Sequence, residues 1–295
     1  PKGCPSPPPL PAYYATSQLD LTSLLPPPPA PGSAEQKADL EGVLAAQRAA
    51  RADGTLARAL ADSEQTCARF KDVLGPALKS APAAHALQFI SESAMSASLA
   101  NASLKRYWKR PRPFIASSEV QRHGDVEPGG EGAHDEYPEK QCAEPPPKDD
   151  AEARKRQAKR EKEERVRDYT SYPSGHAAYG MACAVLLSAA IPEKRAELFA
   201  RARQYGESRL ILGAHYPSDV AAGQQAAQLG AALVMQNVSF GRQFAVAQSE
   251  LRAALGLPAA LPDLEPDKDQ FKDRDEEAAT PGGAPAPAQR PRRRR

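Results

Sequence analysis

Ser208-Arg209-Leu210-Ile211-Leu212-Gly213-Ala214-His215-Tyr216-Pro217-Ser218-Asp219 closes one helix and opens the next. A helical pattern runs up to Leu212, Gly213 breaks it, and Pro217 suits the first position of a new helix, where its missing N–H costs nothing. Asp219 then falls in the first turn of that helix. From there its carboxylate can reach back to one nitrogen of His215, fixing the tautomer and stabilising positive charge on the ring. The other nitrogen is left to act as a nucleophile. A histidine and an aspartate at this spacing are weak evidence by themselves, so the neighbouring sequence has to carry the reading.

Outward from this stretch the helical pattern continues on both sides, with helices predicted at 174–190, 193–212, 217–236 and 239–255. Upstream, Ser33 is an N-cap, and alanines and leucines recur at three- and four-residue steps to Lys109, broken at Gly54 and at Gly75-Pro76. Three helices follow from this, at 34–52, 56–74 and 82–108. Alanine is abundant and aromatics make up 6% of the chain, so the core is Ala/Leu-based and the fold class is all-α.

Two further stretches complete a phosphate-binding set. Lys105 is followed after six residues by Arg112-Pro113, and Pro111 and Pro113 end the helix there, letting Arg112 turn toward the same place as Lys105. Pro173-Ser174-Gly175-His176 precedes an apolar helix, so its amides lie at a helix N-terminus, where unpaired N–H groups and the dipole favour an anion. Gly175 allows close backbone approach, the Ser174 hydroxyl can donate, and His176 offers a ring for proton transfer. A phosphate monoester repels nucleophiles by its own charge, and Lys105, Arg112 and Arg209 supply three cations against it. Arginine forks bind two oxygens at once, whereas lysine acts as a point charge.

In the order and spacing of these three stretches the chain resembles the phosphatidic acid phosphatase type 2 superfamily, and most closely the soluble class A bacterial non-specific acid phosphatases. Leu24-Leu25 before Pro26 to Pro29, with Pro31-Gly32-Ser33, resembles the N-terminal segment of the mature class A enzymes, and the resemblance covers residues 12 to 257. It implies a compact helical bundle of the acid phosphatase and vanadium haloperoxidase type. It implies metal-independent hydrolysis of phosphate monoesters (nucleotides, sugar phosphates, aryl phosphates) with some phosphoryl transfer to alcohols, and inhibition by vanadate. In that scheme His215 attacks phosphorus to give a phosphohistidine, oriented by Asp219, while His176 protonates the leaving oxygen and later deprotonates water. Lys105, Arg112, Ser174, Gly175 and Arg209 bind the phosphoryl group. A histidine that must be protonated in one step and neutral in the next predicts highest activity at about pH 5 to 6.5. No cofactor is implied. Two alternatives remain, a vanadium-dependent haloperoxidase built on the same pocket and a non-catalytic binding protein using a basic tail.

The rest of the chain bounds the reading. The 39 basic and 37 acidic side chains nearly cancel, so no overall field attracts nucleic acid. The longest nearly unbroken apolar run, Met181 to Ile191, is far short of the roughly 20 residues that span a bilayer, which predicts a protein not integral to the membrane. The chain begins at Pro1 with no visible signal peptide and reads as a processed product; by resemblance it is periplasmic or secreted. Asp125, His134, Asp135 and Glu136 lack regular metal-ligand spacing. Cys183, inside an apolar helix, reads as a buried thiol, and Cys4 with Cys142 is the pair nominated for a disulfide.

Residues 1–32 form a proline-rich arm anchored by Leu19, Leu21, Leu24 and Leu25, an arrangement compatible with a homodimer. Residues 114–172 form a connector, whose 148–168 portion holds nine basic and seven acidic residues and reads as a solvated helix. The 59 residues between Pro113 and Pro173 slightly exceed what the family resemblance implies. Residues 1–257 read as a single domain, and 258–295, ending in four arginines, read as a disordered tail.

Overall fold

The computed structural model describes residues 13, 14, 19–99, 101–123 and 149–262. In chain order the helices are α1 (Leu21–Leu24), α2 (Ala34–Asp53), α3 (Leu56–Ala61), α4 (Lys71–Leu74), α5 (Ala81–Ser98), α6 (Asn101–Trp108), α7 (Pro113–Ala116), α8 (Asp150–Asp168), α9 (Gly175–Ala190), α10 (Arg195–Ile211), α11 (Pro217–Gln236) and α12 (Val238–Ala254). Among the described residues there is no strand, and the fold is all-α. The contacts group Pro1–Leu261 into one unit and Pro262–Arg295 into another; the helices all belong to the first.

Helix α9 is apolar on every side, and such a helix is stable in water only when surrounded. It packs against α5, α10 and α11, with α12 closing over α5. Small residues bring these helices close. A Cβ on Gly180 would lie 2.6 Å from the Tyr205 ring of α10, and one on Gly230 of α11 would lie 2.0 Å from the Ala97 carbonyl oxygen of α5. The main core therefore joins α5, α9, α10, α11 and α12 around Ile90, Met95, Leu186, Leu187, Leu198 and Phe240.

The four C-terminal helices lie where periodicity put them, within a residue or two. Upstream there are differences. The 56–74 segment is not one helix: it breaks over 62–66, where Asp62 is bonded to α10 and Thr66 caps a short 3₁₀ turn (Cys67–Phe70). The predicted 82–108 helix is divided between α5 and α6, with no glycine or proline to mark the break. Near that break Ser98 Oγ donates to the Met95 carbonyl, a side-chain bond that competes with the helical ladder.

Two further expectations are corrected. Cys183 is not a thiol: it is joined to Cys67 in a disulfide with a Cα–Cα distance of 5.6 Å. A sulfur surrounded by apolar atoms reads from sequence as a small hydrophobe, and only the approach of the 62–67 segment to α9 supplies its partner. Cys4 and Cys142 lie outside the described residues, as does the tail from 263. In the arm, Leu21 and Leu25 are buried against Leu104, Tyr172, Ala222 and Ala226, with Leu19 packed alongside, but Leu24 is 55% exposed and anchors nothing. Asp20 caps α1, so the leucines fall on a helical turn, and one faces outward.

Candidate active site

Helix α6 ends where Lys109 adopts a left-handed conformation (φ 48°), and Pro111 and Pro113 keep the next residues extended. The turn delivers Arg110 and Arg112 to the interior, where both are buried. Lys105, still on the helix, donates to the Thr170 carbonyl at 2.8 Å. Arg112 Nη1 donates to the Ala214 carbonyl at 2.9 Å and lies 3.1 Å from His215 Nε2. A guanidinium can only donate, so Nε2 of His215 is the acceptor and carries a lone pair. The ring proton is then on Nδ1, which sits 3.5 Å from Asp219 Oδ2, in contact but beyond a good hydrogen bond.

Asp219 is fully buried and heavily bonded. Its Oδ1 accepts from Arg110 at 2.6 Å, and its Oδ2 accepts from Ser171 Oγ at 2.6 Å and from the Tyr216 amide at 2.9 Å. Its own carbonyl accepts from the Ser174 amide at 2.9 Å, tying α11 to the start of α9. Ser174 caps α9 by accepting from the Ala177 amide at 3.3 Å, which leaves the hydroxyl hydrogen to donate. Gly175 is the first residue of that helix. A Cβ at Gly223 would lie 2.2 Å from the Ser174 carbonyl, so only glycine lets α11 approach this closely.

His176 is held from another side. Its Nε2 lies 3.0 Å from the Ser63 carbonyl, which can only accept, so this nitrogen carries hydrogen and Nδ1 is the position that gains or loses a proton. Arg209 Nη1 reaches Ser63 Oγ at 3.3 Å, from the last turn of α10. Ser63 is itself held through its neighbour Asp62, which takes Arg201 Nη1 at 3.1 Å and Ser208 Oγ at 2.8 Å. Ser208 thus points into the scaffold beneath the site and not into the site. The loop carrying His215 is fixed by Gln47 of α2, whose amide bonds the Ile211 carbonyl at 3.1 Å and the Gln121 amide at 3.1 Å. Gly213, at φ 71°, has Gln121 so near that a Cβ would meet its carbonyl oxygen at 2.5 Å.

Lys105, Arg112, Arg209, Ser174, Gly175, His176, His215 and Asp219 therefore come together from α6, the turn after it, and the facing ends of α9, α10 and α11. Burial lowers the pKa of His215 well below the ordinary value, with Arg112, Lys105 and Arg209 acting in the same direction. His176 is lowered likewise, by burial first and then by Arg209. Both rings are neutral, and the surrounding charge suits an anion.

Arg110, Ser63, Ser171 and Asp62 are parts of the site that the sequence reading missed. Arg110 stood in the Arg-Pro-Arg-Pro run beside Arg112, but its carboxylate partners lie 71 and 109 residues away. Ser63 acts through a main-chain carbonyl, which no side-chain motif can announce.

Comparison with known proteins gives the same grouping. Residues 86–242 match the PAP2 superfamily, and the chain belongs to that superfamily. It is 32% identical over 152 residues to the non-specific acid phosphatase of Salmonella typhimurium, covering 52% of this chain and 46% of that protein. It is 38% identical over 84 residues to an acid phosphatase of Zymomonas mobilis, covering 28% of this chain and 32% of the other. With the non-specific acid phosphatase of Providencia stuartii it shares 40% identity over 80 residues, 27% of this chain and 32% of the relative. The matches span half or less of the length of these curated relatives. Among the described residues no helix is long and apolar enough to cross a membrane.

Proposed function

We propose that this chain is an acid phosphatase that hydrolyses phosphate monoesters through a phosphohistidine on His215, without a metal. The observation that carries the reading is the 3.1 Å contact between Arg112 Nη1 and His215 Nε2, which leaves the lone pair on the nitrogen that faces the cations. A phosphoryl group drawn in by Lys105, Arg112 and Arg209 would meet that lone pair. The Nε2–P bond forms as the bond from phosphorus to the ester oxygen breaks, and Nδ1 of His176 gives its proton to the departing alkoxide. Neutral His176 next takes a proton from water, whose oxygen attacks phosphorus and displaces His215, releasing inorganic phosphate. Asp219, held by Arg110, Ser171 and the Tyr216 amide, keeps the ring in its tautomer.

Burial first, and then Arg209 and Arg112, hold His176 neutral, so the proton it delivers must be favoured by the substrate itself. A phosphate between Arg209, Arg112 and Lys105 offsets their charge, which removes the cationic part of that shift and raises the ring's affinity for a proton. Phosphate monoesters take up their own second proton near pH 6, so enzyme and substrate share the needed proton most readily in mild acid. The reading includes broad specificity, with nucleotides, sugar phosphates and aryl phosphates as substrates, and transfer to alcohols that outcompete water. It includes a periplasmic or secreted location, which the Cys67–Cys183 disulfide supports. A single domain over residues 1–257 and a homodimer belong to the same proposal.

The test is hydrolysis of an aryl phosphate with chelator present, by the parent and by His215→Ala. Turnover in the parent that falls to background in the variant is expected. Chelator-sensitive turnover, or an active variant, would overturn the scheme. Efficient bromide oxidation with vanadate and peroxide, alongside negligible ester hydrolysis, would assign the pocket to haloperoxidase chemistry.

A further inference from the structure

Arg110, which is buried, has both terminal nitrogens of its guanidinium hydrogen-bonded to other side chains. Its Nη1 donates to Asp219 Oδ1 at 2.6 Å and to Ser218 Oγ at 2.8 Å; its Nη2 donates to Asp39 Oδ2 and to Gln36 Oε1, each at 2.7 Å. The guanidinium also stacks 3.9 Å above the Tyr216 ring. Two buried carboxylates, one from α2 and one from α11, thus share one fork. The geometry has a direct consequence for the nucleophile. Asp219 approaches His215 only to 3.5 Å, while its oxygens are committed to Arg110, Ser171 and the Tyr216 amide. A carboxylate so neutralised orients a neighbouring imidazole without offering it a full negative charge.

We infer that Arg110 is a positioning residue for His215, acting through Asp219: it fixes the carboxylate and takes up its charge, so that the ring stays a neutral nucleophile in acid. This rests on the phosphatase reading for its kinetic consequence, but its electrostatic consequence stands apart from turnover. The charged and titratable groups facing His215 are Lys105 of α6, Arg112, His176 of α9, Arg209 of α10 and Asp219 of α11, with Asp39 of α2 acting through Arg110. Tyr172 and Tyr216 flank the network, and burial pushes both up to about 12, so neither titrates with the histidines. Arg110 itself stays charged: burial opposes its charge, but Asp219 and Asp39 more than offset this and raise its pKa.

Removing the guanidinium should expose His215 to the whole Asp219 charge, whereas removing the competing Asp39 should give Asp219 the whole of Arg110. The two changes therefore move the ring in opposite directions, which loss of structure cannot do. The experiment is an NMR titration of histidine-labelled full-length protein, parent, Arg110→Met and Asp39→Asn, with His215→Gln to assign the resonance. The kcat/KM profile for an aryl phosphate is recorded in parallel. Arg110→Met should raise the His215 midpoint and the acid limb by about one pH unit or more. Asp39→Asn should lower both, and Arg110→Lys should restore the midpoint toward the parent's. If Arg110→Met fails to fold, the downward shift in Asp39→Asn decides the matter alone. An unmoved His215 midpoint in folded Asp39→Asn, or a shift of the same sign in both variants, would overturn the inference. Absence of turnover in the parent would strike at the phosphatase reading and leave the titration to judge Arg110.

Discussion

The carbonyl oxygen of Ser63 lies 3.0 Å from Nε2 of His176, across 113 residues of sequence. That contact decides which ring nitrogen carries hydrogen, and it leaves the tautomer of His176 dependent on a segment with no chemical motif of its own. Asp62 anchors the segment to Arg201 and Ser208, Tyr205 OH donates to the Glu64 carbonyl, and Cys67 closes it onto Cys183.

If His176 protonates the leaving oxygen, its loss should matter in proportion to the leaving group's basicity. His176→Ala is expected to lower kcat for an alkyl phosphate by about 10² to 10⁴, and distinctly less for a nitrophenyl phosphate, whose oxygen departs without help. Equal losses on both substrates, measured at one pH, would remove the proton-donor role from His176.

Glycine at 223 is required by contact, not by backbone conformation. Gly223→Ala should push the Ser174 turn off α11, costing about 1–3 kcal/mol and reducing activity out of proportion to its effect on melting. Gly241→Ala is the control, because a Cβ there meets nothing and the residue lies inside α12. It should add about 0.5–1 kcal/mol, with activity unchanged. Paired denaturation and rate measurements on the two variants check both statements.

The disulfide closes a 116-residue separation between the Ser63 segment and α9. Replacing both cysteines by alanine should destabilise the protein by about 2–5 kcal/mol, read from the chemical denaturation midpoint. Since Ser63 and His176 lie on the two linked segments, kcat should fall at temperatures where the variant is still folded. Full kcat in the folded variant would confine the bridge to stability.

Stability should also depend on pH through the two buried rings. Each folded-state pKa is lowered, so near pH 7 neither histidine contributes a difference. As pH falls through about 6.5 the unfolded chain binds protons that the folded chain refuses. Unfolding free energy should then drop by up to about 1.4 kcal/mol per pH unit for each ring, the fall ending at the folded-state values. Inorganic phosphate, by opposing the cations, should flatten the slope. A denaturation series between pH 7 and 4.5, with and without phosphate, measures this, and a stability rising toward acid would contradict it.

Much of the candidate site was legible as a set of side chains because they sit beside local punctuation. Pro111 and Pro113, Pro173, the glycine at 213 and Pro217 mark helix ends, and helix ends are where backbone donors and turning side chains gather. Arg112, Ser174, His176 and His215 are adjacent to such marks. Arg110 was equally close to one, yet its purpose lies in Asp39 and Asp219, which no local pattern links to it. The break at 62–66 was invisible for the same reason, since bonds from α10 create it and no glycine or proline announces it.

From its order of residues alone this protein has its helical periods, its helix ends, and the cationic and imidazole groups set beside those ends, because these depend on neighbours within a turn or two. The folded chain alone settles which nitrogen of each histidine is protonated, which carboxylate is neutralised by which arginine, and which cysteine is bridged. Those outcomes depend on distances of about 3 Å between segments far apart in sequence, and such distances are set by packing around α9, not by local preference.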